Sequence, residues 1–254
     1  MNLTGKTSII TGGSDGIGRA IAAKLASEGA HVVICARNAD KLDAVAEDIR
    51  AAGGSVETRV QDVADTESFT AMIADVASSS GLDILVNNAA HVGFGSVADA
   101  SLEDFRENFR VNVDATYAGM QAAIKAMSNN GGSIVNISSI NGDRAMPGMA
   151  GYSSSKAALL HLTRLASMET AGLNIRVNAV TPGPIMTPGT EAFIQSDPKA
   201  GEASAAGIPM QRMGMPEEVA NVVLFLASDM SSYVTGANIP VDGGKANELA
   251  VNQG

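Results

Sequence analysis

Short runs of β-favouring residues alternate along this chain with longer stretches of helical spacing, and that rhythm restricts the fold more than any single motif. The runs are "TSIIT" (Thr7–Thr11), "HVVICA" (His31–Ala36), "SVETRVQDV" (55–63), "DILVNNAA" (83–90), "SIVNIS" (Ser133–Ser138), "IRVNAV" (Ile175–Val180) and "ANIPVDG" (Ala237–Gly243). Between the early ones, apolar residues recur with helical spacing over Ile17–Glu28, Ala39–Ala52 and Glu67–Ser79. Strands and helices taking turns at this pace point to an α/β fold, a doubly wound parallel sheet with helices on both faces. Short, wholly apolar strands such as "ILV" in "DILVNNAA" suit a sheet buried on both sides. There is no internal repeat, low-complexity block or linker, so residues 1–254 read as one domain. An apolar content of 45% against 17% charged residues is enough for a sizeable core.

Charge and cysteine usage narrow the function classes. A formal net charge of -10 argues against a nucleic-acid backbone or an anionic membrane as the main partner. The one cysteine, Cys35, sits in an apolar run and reads as a buried, inert thiol. His31, His91 and His161 are scattered without ligand spacing, so no metal site is expected. The opening "MNLTGKTSII" lacks the features of a secretory leader, and no apolar run approaches the roughly 20 residues of a spanning helix. The expectation is a cytoplasmic protein.

The turn "TGGSDGIG" (Thr11–Gly18) follows the first strand directly and opens the first helix. Unpaired N–H groups at a helix start attract a pyrophosphate, and glycines let the backbone approach it. The spacing Gly12-x-x-x-Gly16-x-Gly18 departs from the commoner dinucleotide fingerprint. Its place in a strand–turn–helix unit still points to dinucleotide binding in a Rossmann-like fold. The second strand should end beside the adenosine ribose. There the chain has Ala36 and then Arg37, a guanidinium suited to a 2′-phosphate where an acid would select the free hydroxyl. NADP(H) is therefore expected over NAD(H), with Asp15 inside the glycine loop as the opposing charge.

Tyr152 and Lys156 stand four apart in "GYSSSKAALL", which places them on one face of a helix expected over Ser153–Met168. A free phenol has a pKa of about 10; a neighbouring ammonium favours its ionised form and makes proton exchange with an alcohol or ketone easier. Ser139 follows the "SIVNIS" strand and "NNAA" (Asn87–Ala90) closes another, both at the carboxyl edge where a doubly wound sheet holds ligands.

Taken in order, "TGGSDGIG", "QDV", "NNAA", "VNV", "NISS", "YSSSK", "PGPIMT" and "VDGG" resemble the short-chain dehydrogenase/reductase family over nearly the whole chain. The resemblance implies Tyr152 as general acid/base, with Lys156 lowering its pKa and holding the nicotinamide ribose. It implies Ser139, in preference to Ser138, on the substrate oxygen, and Asn112 anchoring a proton-relaying water. For the cofactor it implies Gly12, Ser14, Asp15, Gly16, Ile17 and Gly18 at the phosphates, Asp62 and Val63 at the adenine, and Asn88 and Ala89 in support. Pro182, Gly183, Ile185 and Thr187 would lie toward the nicotinamide. Two departures stand out: Ala90 where the family commonly has glycine, and Asp15 where a basic residue often helps hold a 2′-phosphate.

The proline-rich segment Thr181–Met215 breaks the rhythm and is expected to form a lid or substrate loop. Met146, Met149, Met186, Met210, Met213 and Met215 fall in segments expected around the substrate, either as core filler or as walls of a broad hydrophobic pocket. His91 follows "NNAA", within range of a substrate. Helical stretches Phe105–Met127 and Ala157–Met168 look apolar nearly all round, which suits a subunit interface in a homotetramer or homodimer. The function expected is an NADP(H)-dependent oxidoreductase interconverting a hydrophobic ketone and a secondary alcohol. The alternatives are an NAD-dependent alcohol dehydrogenase and a non-catalytic cofactor-binding module.

Overall fold

The computed structural model describes residues 1–247, so 248–254 of the expected 1–254 span lie outside the described residues. Seven strands form one sheet: β1 (Thr7–Thr11), β2 (His31–Ala36), β3 (Ser55–Val60), β4 (Ile84–Asn87), β5 (Gly132–Ile137), β6 (Ile175–Pro182) and β7 (Asn238–Val241). Their order is β3-β2-β1-β4-β5-β6-β7, and every pair is parallel. The order reverses between β1 and β4, and that switch point opens a crevice at the carboxyl ends of the strands. The expected doubly wound α/β fold is present.

The helices are α1 (Gly16–Ser27), α2 (Ala39–Ala51), α3 (Thr66–Ser80), α4 (Leu102–Phe109), α5 (Ala115–Met127), α6 (Ala150–Thr170), α7 (Pro188–Ser196), α8 (Pro198–Ala206) and α9 (Pro216–Ala227). Alternation along the strands divides the core between the two faces. Ile10, Ile34, Val86 and Val135 pack with Ile21 and Leu25 of α1 and Val219 and Val223 of α9. Their strand neighbours Ile9, Val33, Leu85 and Ile134 pack on the other face with Phe69, Ile73, Met127 and Ala166. Each such fully buried side chain contributes about 1.5–3 kcal/mol.

Three expectations are corrected. The stretch read as one helix, Phe105–Met127, is α4 and α5 joined by a π turn at Arg110–Asp114, where Ala115 N–H reaches back to Arg110 O. The third strand stops at Val60 because Asp62 turns the chain, accepting from Ala64 N–H at 3.0 Å. The sixth strand runs on through Thr181 and Pro182, so the excursion begins at Gly183. Proline is tolerated there because pairing with β5 ends at Val180 and Pro182 faces only β7.

The outer faces of α5 and α6 differ from an all-round buried helix. Tyr117, Leu165 and Met168 are exposed. No helix among the described residues is long and apolar enough to cross a membrane.

Candidate active site

The glycine loop leaves β1 and enters α1 by a path that needs glycine at two points. Gly12 has φ +65°, a conformation side chains rarely adopt. At Gly18 the limit is space, since a Cβ would lie 2.1 Å from Gly12 O. Asn88, just past β4, braces the turn: its Nδ2 donates to Thr11 O at 2.9 Å and Gly12 O at 3.2 Å. Thr11 Oγ accepts in return from the N–H groups of Asn88 and Ala89. Asn88 thus acts through the loop it holds.

A cleft of about 520 Å³ opens above this turn, within the range of cofactor sites. Of the expected cofactor residues, Gly12, Ser14, Asp15, Ile17 and Gly18 line its floor, with Arg37, Asp62 and Val63 on one side. Asn88, Ala89 and Thr187 complete the wall. Gly16 does not line the cleft; it turns with φ +47° beneath Thr187, whose Cγ2 would stand 3.2 Å from a Cβ there. Pro182, Gly183 and Ile185 also lie off its wall. Gly183 N–H donates to Val241 O at 2.9 Å, and Ile185 bridges to Gly214. The fit to a dinucleotide rests on the glycine turn, the helix start behind it and a guanidinium at the far end. Cys35 sits buried in the cleft floor, its thiol pushed up to about 12 by burial.

Sequence reading missed several wall residues: Lys41, Gln61, Glu107 and Val111. Lys41, from the first turn of α2, reaches across to Asp15 at 2.6 Å. Burial works to raise the Asp15 pKa, but the hydrogen bonds from Lys41 and Gly16, with the charges of Lys41 and Arg19, outweigh it and hold the carboxyl below its usual range. Only the fold could show this pairing, because the two residues are 26 apart in sequence.

The second half of the site lies where β5 and α6 meet. The Ser139 hydroxyl acts on the Tyr152 phenol and favours its ionised form. The Ser139 Oγ also accepts from Asn141 N–H at 3.2 Å, which leaves its proton free for a second oxygen. Ser138 is spent elsewhere, donating to Lys156 O at 3.2 Å. Lys156 is only 2% exposed. Its Nζ donates to Ile137 O at 2.8 Å and stands 5.7 Å from the Tyr152 ring centre.

The electrostatics differ from the sequence expectation. Burial raises the Tyr152 phenol above its ordinary value, and the nearby Ser139 hydroxyl is what opposes it. Lys156 sits over the ring with its ammonium donating to the Ile137 carbonyl. Burial lowers the Lys156 pKa to about 8.

Asn112, in the π turn, is 1% exposed and ties three elements together. Its Oδ1 accepts from His91 N–H at 2.8 Å, while Nδ2 donates to His91 O and Ser155 Oγ, both at 2.9 Å. Ser155 in turn donates to Tyr152 O at 2.7 Å. Asn112 therefore anchors the strand end after β4 to the first turns of α6. Ser155 and Asn141 were not singled out from sequence; spacing gives no signal for them.

The expected substrate walls are more open. Gly95 N–H donates to Gly148 O at 2.7 Å and Ala150 N–H to Gly95 O at 3.1 Å, zipping two loops together above Ser139. Met149 accepts from Asn141 Nδ2 at 3.2 Å. Val92, Phe94, Met146, Met210 and Met215 are exposed, whereas Met213 is buried. Among the described residues no group of three or more His, Cys, Asp or Glu could hold a metal ion.

Comparisons with known proteins agree with this geometry. Residues 12–246 match the family described as enoyl-(acyl carrier protein) reductase. The 3-oxoacyl-(acyl-carrier-protein) reductase FabG of Thermotoga maritima is 40% identical over 246 residues, covering 96% of this chain and 99% of that protein. The 2,5-dichloro-2,5-cyclohexadiene-1,4-diol dehydrogenase LinX of Sphingobium indicum is 38% identical over 244 residues, covering 95% and 96%. A crystal structure assigned to a 2-deoxy-d-gluconate 3-dehydrogenase of Agrobacterium tumefaciens, with bound NADP, superposes with a TM-score of 0.90. It is 34% identical and covers 97% of this chain and 98% of that one. With the fold, the cleft and these relatives together, the chain belongs to the short-chain dehydrogenase/reductase family, oxidoreductases that interconvert CH–OH and C=O groups with a nicotinamide cofactor.

Proposed function

We propose that this enzyme interconverts a hydrophobic ketone and a secondary alcohol with NADP(H), using Tyr152 as general acid/base. The observation that carries the reading is Lys156 standing 5.7 Å from the Tyr152 ring centre, with Ser139 acting on the same phenol, at the carboxyl edge that also holds the dinucleotide-sized cleft. When bound, the nicotinamide supplies or accepts the hydride. The Tyr152 phenol gives its proton to the substrate oxygen in reduction and takes it back in oxidation. A phenol kept protonated by burial is ready for the reductive direction. Ser139, its Oγ fixed by Asn141 N–H, donates to the same oxygen as charge develops, worth about 3 kcal/mol. Lys156 holds positive charge beside the phenol, and Asn112 keeps the first turns of α6 in register with the strand end at His91.

For the cofactor, Gly12, Ser14 and Gly18 offer the phosphates a close backbone, and Arg37 offers a guanidinium to a 2′-phosphate. Bound NADP in the A. tumefaciens structure supports that preference. The charge of Asp15 in the same cleft supports the second reading, an NAD-dependent enzyme. The excursion 183–215 is the lid of the proposed single domain: α7 has no buried residue and α8 buries only Gly201. Exposed Tyr117, Leu165 and Met168 on the outer faces of α5 and α6 support a homotetramer, or a homodimer, joined there. Sedimentation equilibrium reads that assembly, and a monomer at micromolar concentration contradicts it.

A panel of cyclic, aromatic and acyl-thioester ketones with NADPH and NADH tests the activity. Turnover of ring-bearing ketones with a lower KM for NADPH is expected, and Arg37→Asp should swing the ratio toward NADH. A tenfold preference of the wild type for NADH contradicts the cofactor assignment, and no turnover with either contradicts catalysis.

A further inference from the structure

A second cation stands at the adenosine end of the cleft, supplied by an element that the glycine loop does not belong to. Lys41, in the first turn of α2, and Arg37, just after β2, line the same cleft four residues apart. The Lys41 backbone is fixed, since its N–H donates to Asn38 Oδ1 at 2.9 Å as the cap of α2. Its ammonium is held over the rim by Asp15 Oδ2 at 2.6 Å, while Asp15 Oδ1 accepts from Gly16 N–H at 2.7 Å. Lys41 thus reaches the glycine loop at the position whose side chain points into the cleft. Both partners remain substantially exposed, at 57% and 40%, so a ligand oxygen can reach the ammonium without unfolding anything.

The neighbouring charges make this arrangement more than a surface pair. Asp15 is shared, with Arg19 adding to the Lys41 charge, and Arg19 is itself bonded to Asp48 at 2.9 Å. Arg37 acts on Glu107 across the cleft, and Glu107 is bound bidentately by Arg110 at 2.7 and 2.8 Å. Asp40 lies in the same first turn of α2. Each cation lining the adenosine end is therefore offset by a carboxylate, in a chain whose net charge is -10. A doubly charged phosphate entering between Arg37 and Lys41 would meet two cations, one of them already shared with an acid.

We propose that Lys41 is a second anchor for the 2′-phosphate of the cofactor, poised over the glycine loop by its contact with Asp15 and exchanging that carboxylate for phosphate oxygen on binding. The inference rests on the NADP(H) reading above. It also recasts Asp15: the acid in the loop is the resting partner of the cation that binds the phosphate, so it weakens the preference for NADP(H) without reversing it.

The test uses 2′,5′-ADP and 5′-AMP, two probes that differ only in the 2′-phosphate and need no turnover, with affinities measured by calorimetry on the full chain. Wild type should bind 2′,5′-ADP the tighter. Lys41→Ala should weaken 2′,5′-ADP about tenfold and change 5′-AMP less than about twofold. Asp15→Ser, which keeps a hydroxyl at the loop, should tighten 2′,5′-ADP a few-fold. The decisive variant is the pair Asp15→Ser with Lys41→Ala, whose net charge equals that of the wild type. If Lys41 holds phosphate, the double variant stays several-fold weaker than wild type for 2′,5′-ADP. If it binds 2′,5′-ADP as well as wild type, Lys41 does no more than neutralise Asp15 and the inference is overturned. A wild type that prefers 2′,5′-ADP by the same ratio as Lys41→Ala removes this inference alone. A wild type with no preference removes the NADP(H) reading as well.

Discussion

The two ends of the site are built in opposite ways. At the cofactor end the chain has almost no freedom: Gly18 leaves no room for a Cβ beside the Gly12 backbone, Asn88 and Ala89 together donate four hydrogen bonds to Thr11 and Gly12, and the strands beneath are buried. At the substrate end, a loop carries exposed Phe94 (77%), and α7 carries exposed Phe193 (51%) and buries nothing. The first end recognises a group common to many reactions, so backbone geometry suffices. In the proposed function the second has to fit one substrate, and the side chains it offers for that are exposed. Ser139, Tyr152 and Lys156 sit at the seam between them, just after β5 and in the first turns of α6.

The comparison breaks most visibly at Gly18. Gly18→Ala places a methyl 2.1 Å from Gly12 O, and should cost about 3 kcal/mol with loss of cofactor binding, read by chemical denaturation and calorimetry. A stable, cofactor-binding Gly18→Ala protein would mean the loop is as adaptable as the lid. At the seam, Ser139→Ala should lower kcat about 100-fold with cofactor affinity kept, since in the proposed mechanism the side chain donates to the reacting oxygen, and it does not line the dinucleotide cleft.

Lys156 sharpens the comparison through pH. Its folded pKa, about 8, lies below the ordinary lysine value of 10.5, so on raising the pH the native state releases that proton first. Between those values the unfolded chain holds more protons, and folding stability rises with pH. Wild type should therefore gain stability relative to Lys156→Met as pH rises from about 8 toward 10, measured by urea denaturation. A difference independent of pH would place the ammonium in a solvated setting. The smallest effect belongs to the lid. Phe193→Ala should change stability by less than about 0.5 kcal/mol and alter KM for bulky ketones, with kcat for small ones unchanged. A loss of several kcal/mol would show the lid to be part of the core.

The same contrast explains what could be read from sequence. The strand and helix rhythm and the glycine turn were legible because each follows from backbone periodicity or from the carboxyl edge of a parallel sheet, whereas the roles given to Ser139, Tyr152 and Lys156 came from the family resemblance. The break at Arg110–Asp114 was not, because a single i→i+5 turn leaves no mark on an apolar helical pattern. Lys41 escaped because its partner lies on another element, and Asn141 because its contribution is a backbone N–H. Thr181 and Pro182 were read as loop from the proline, although a strand that has lost one neighbour accepts it. The local sequence around Tyr152 also misled on electrostatics. Four-residue spacing put Lys156 beside the ring, but only the fold shows its ammonium directed to Ile137 O.

The most direct measurement is turnover of a ketone panel by Tyr152→Phe, alongside calorimetric affinity for NADPH. Removing one oxygen should lower kcat by about 1000-fold or more while NADPH binds within a few-fold of wild type. A Tyr152→Phe enzyme that reduces ketones at the wild-type rate would show that the proton comes from another group.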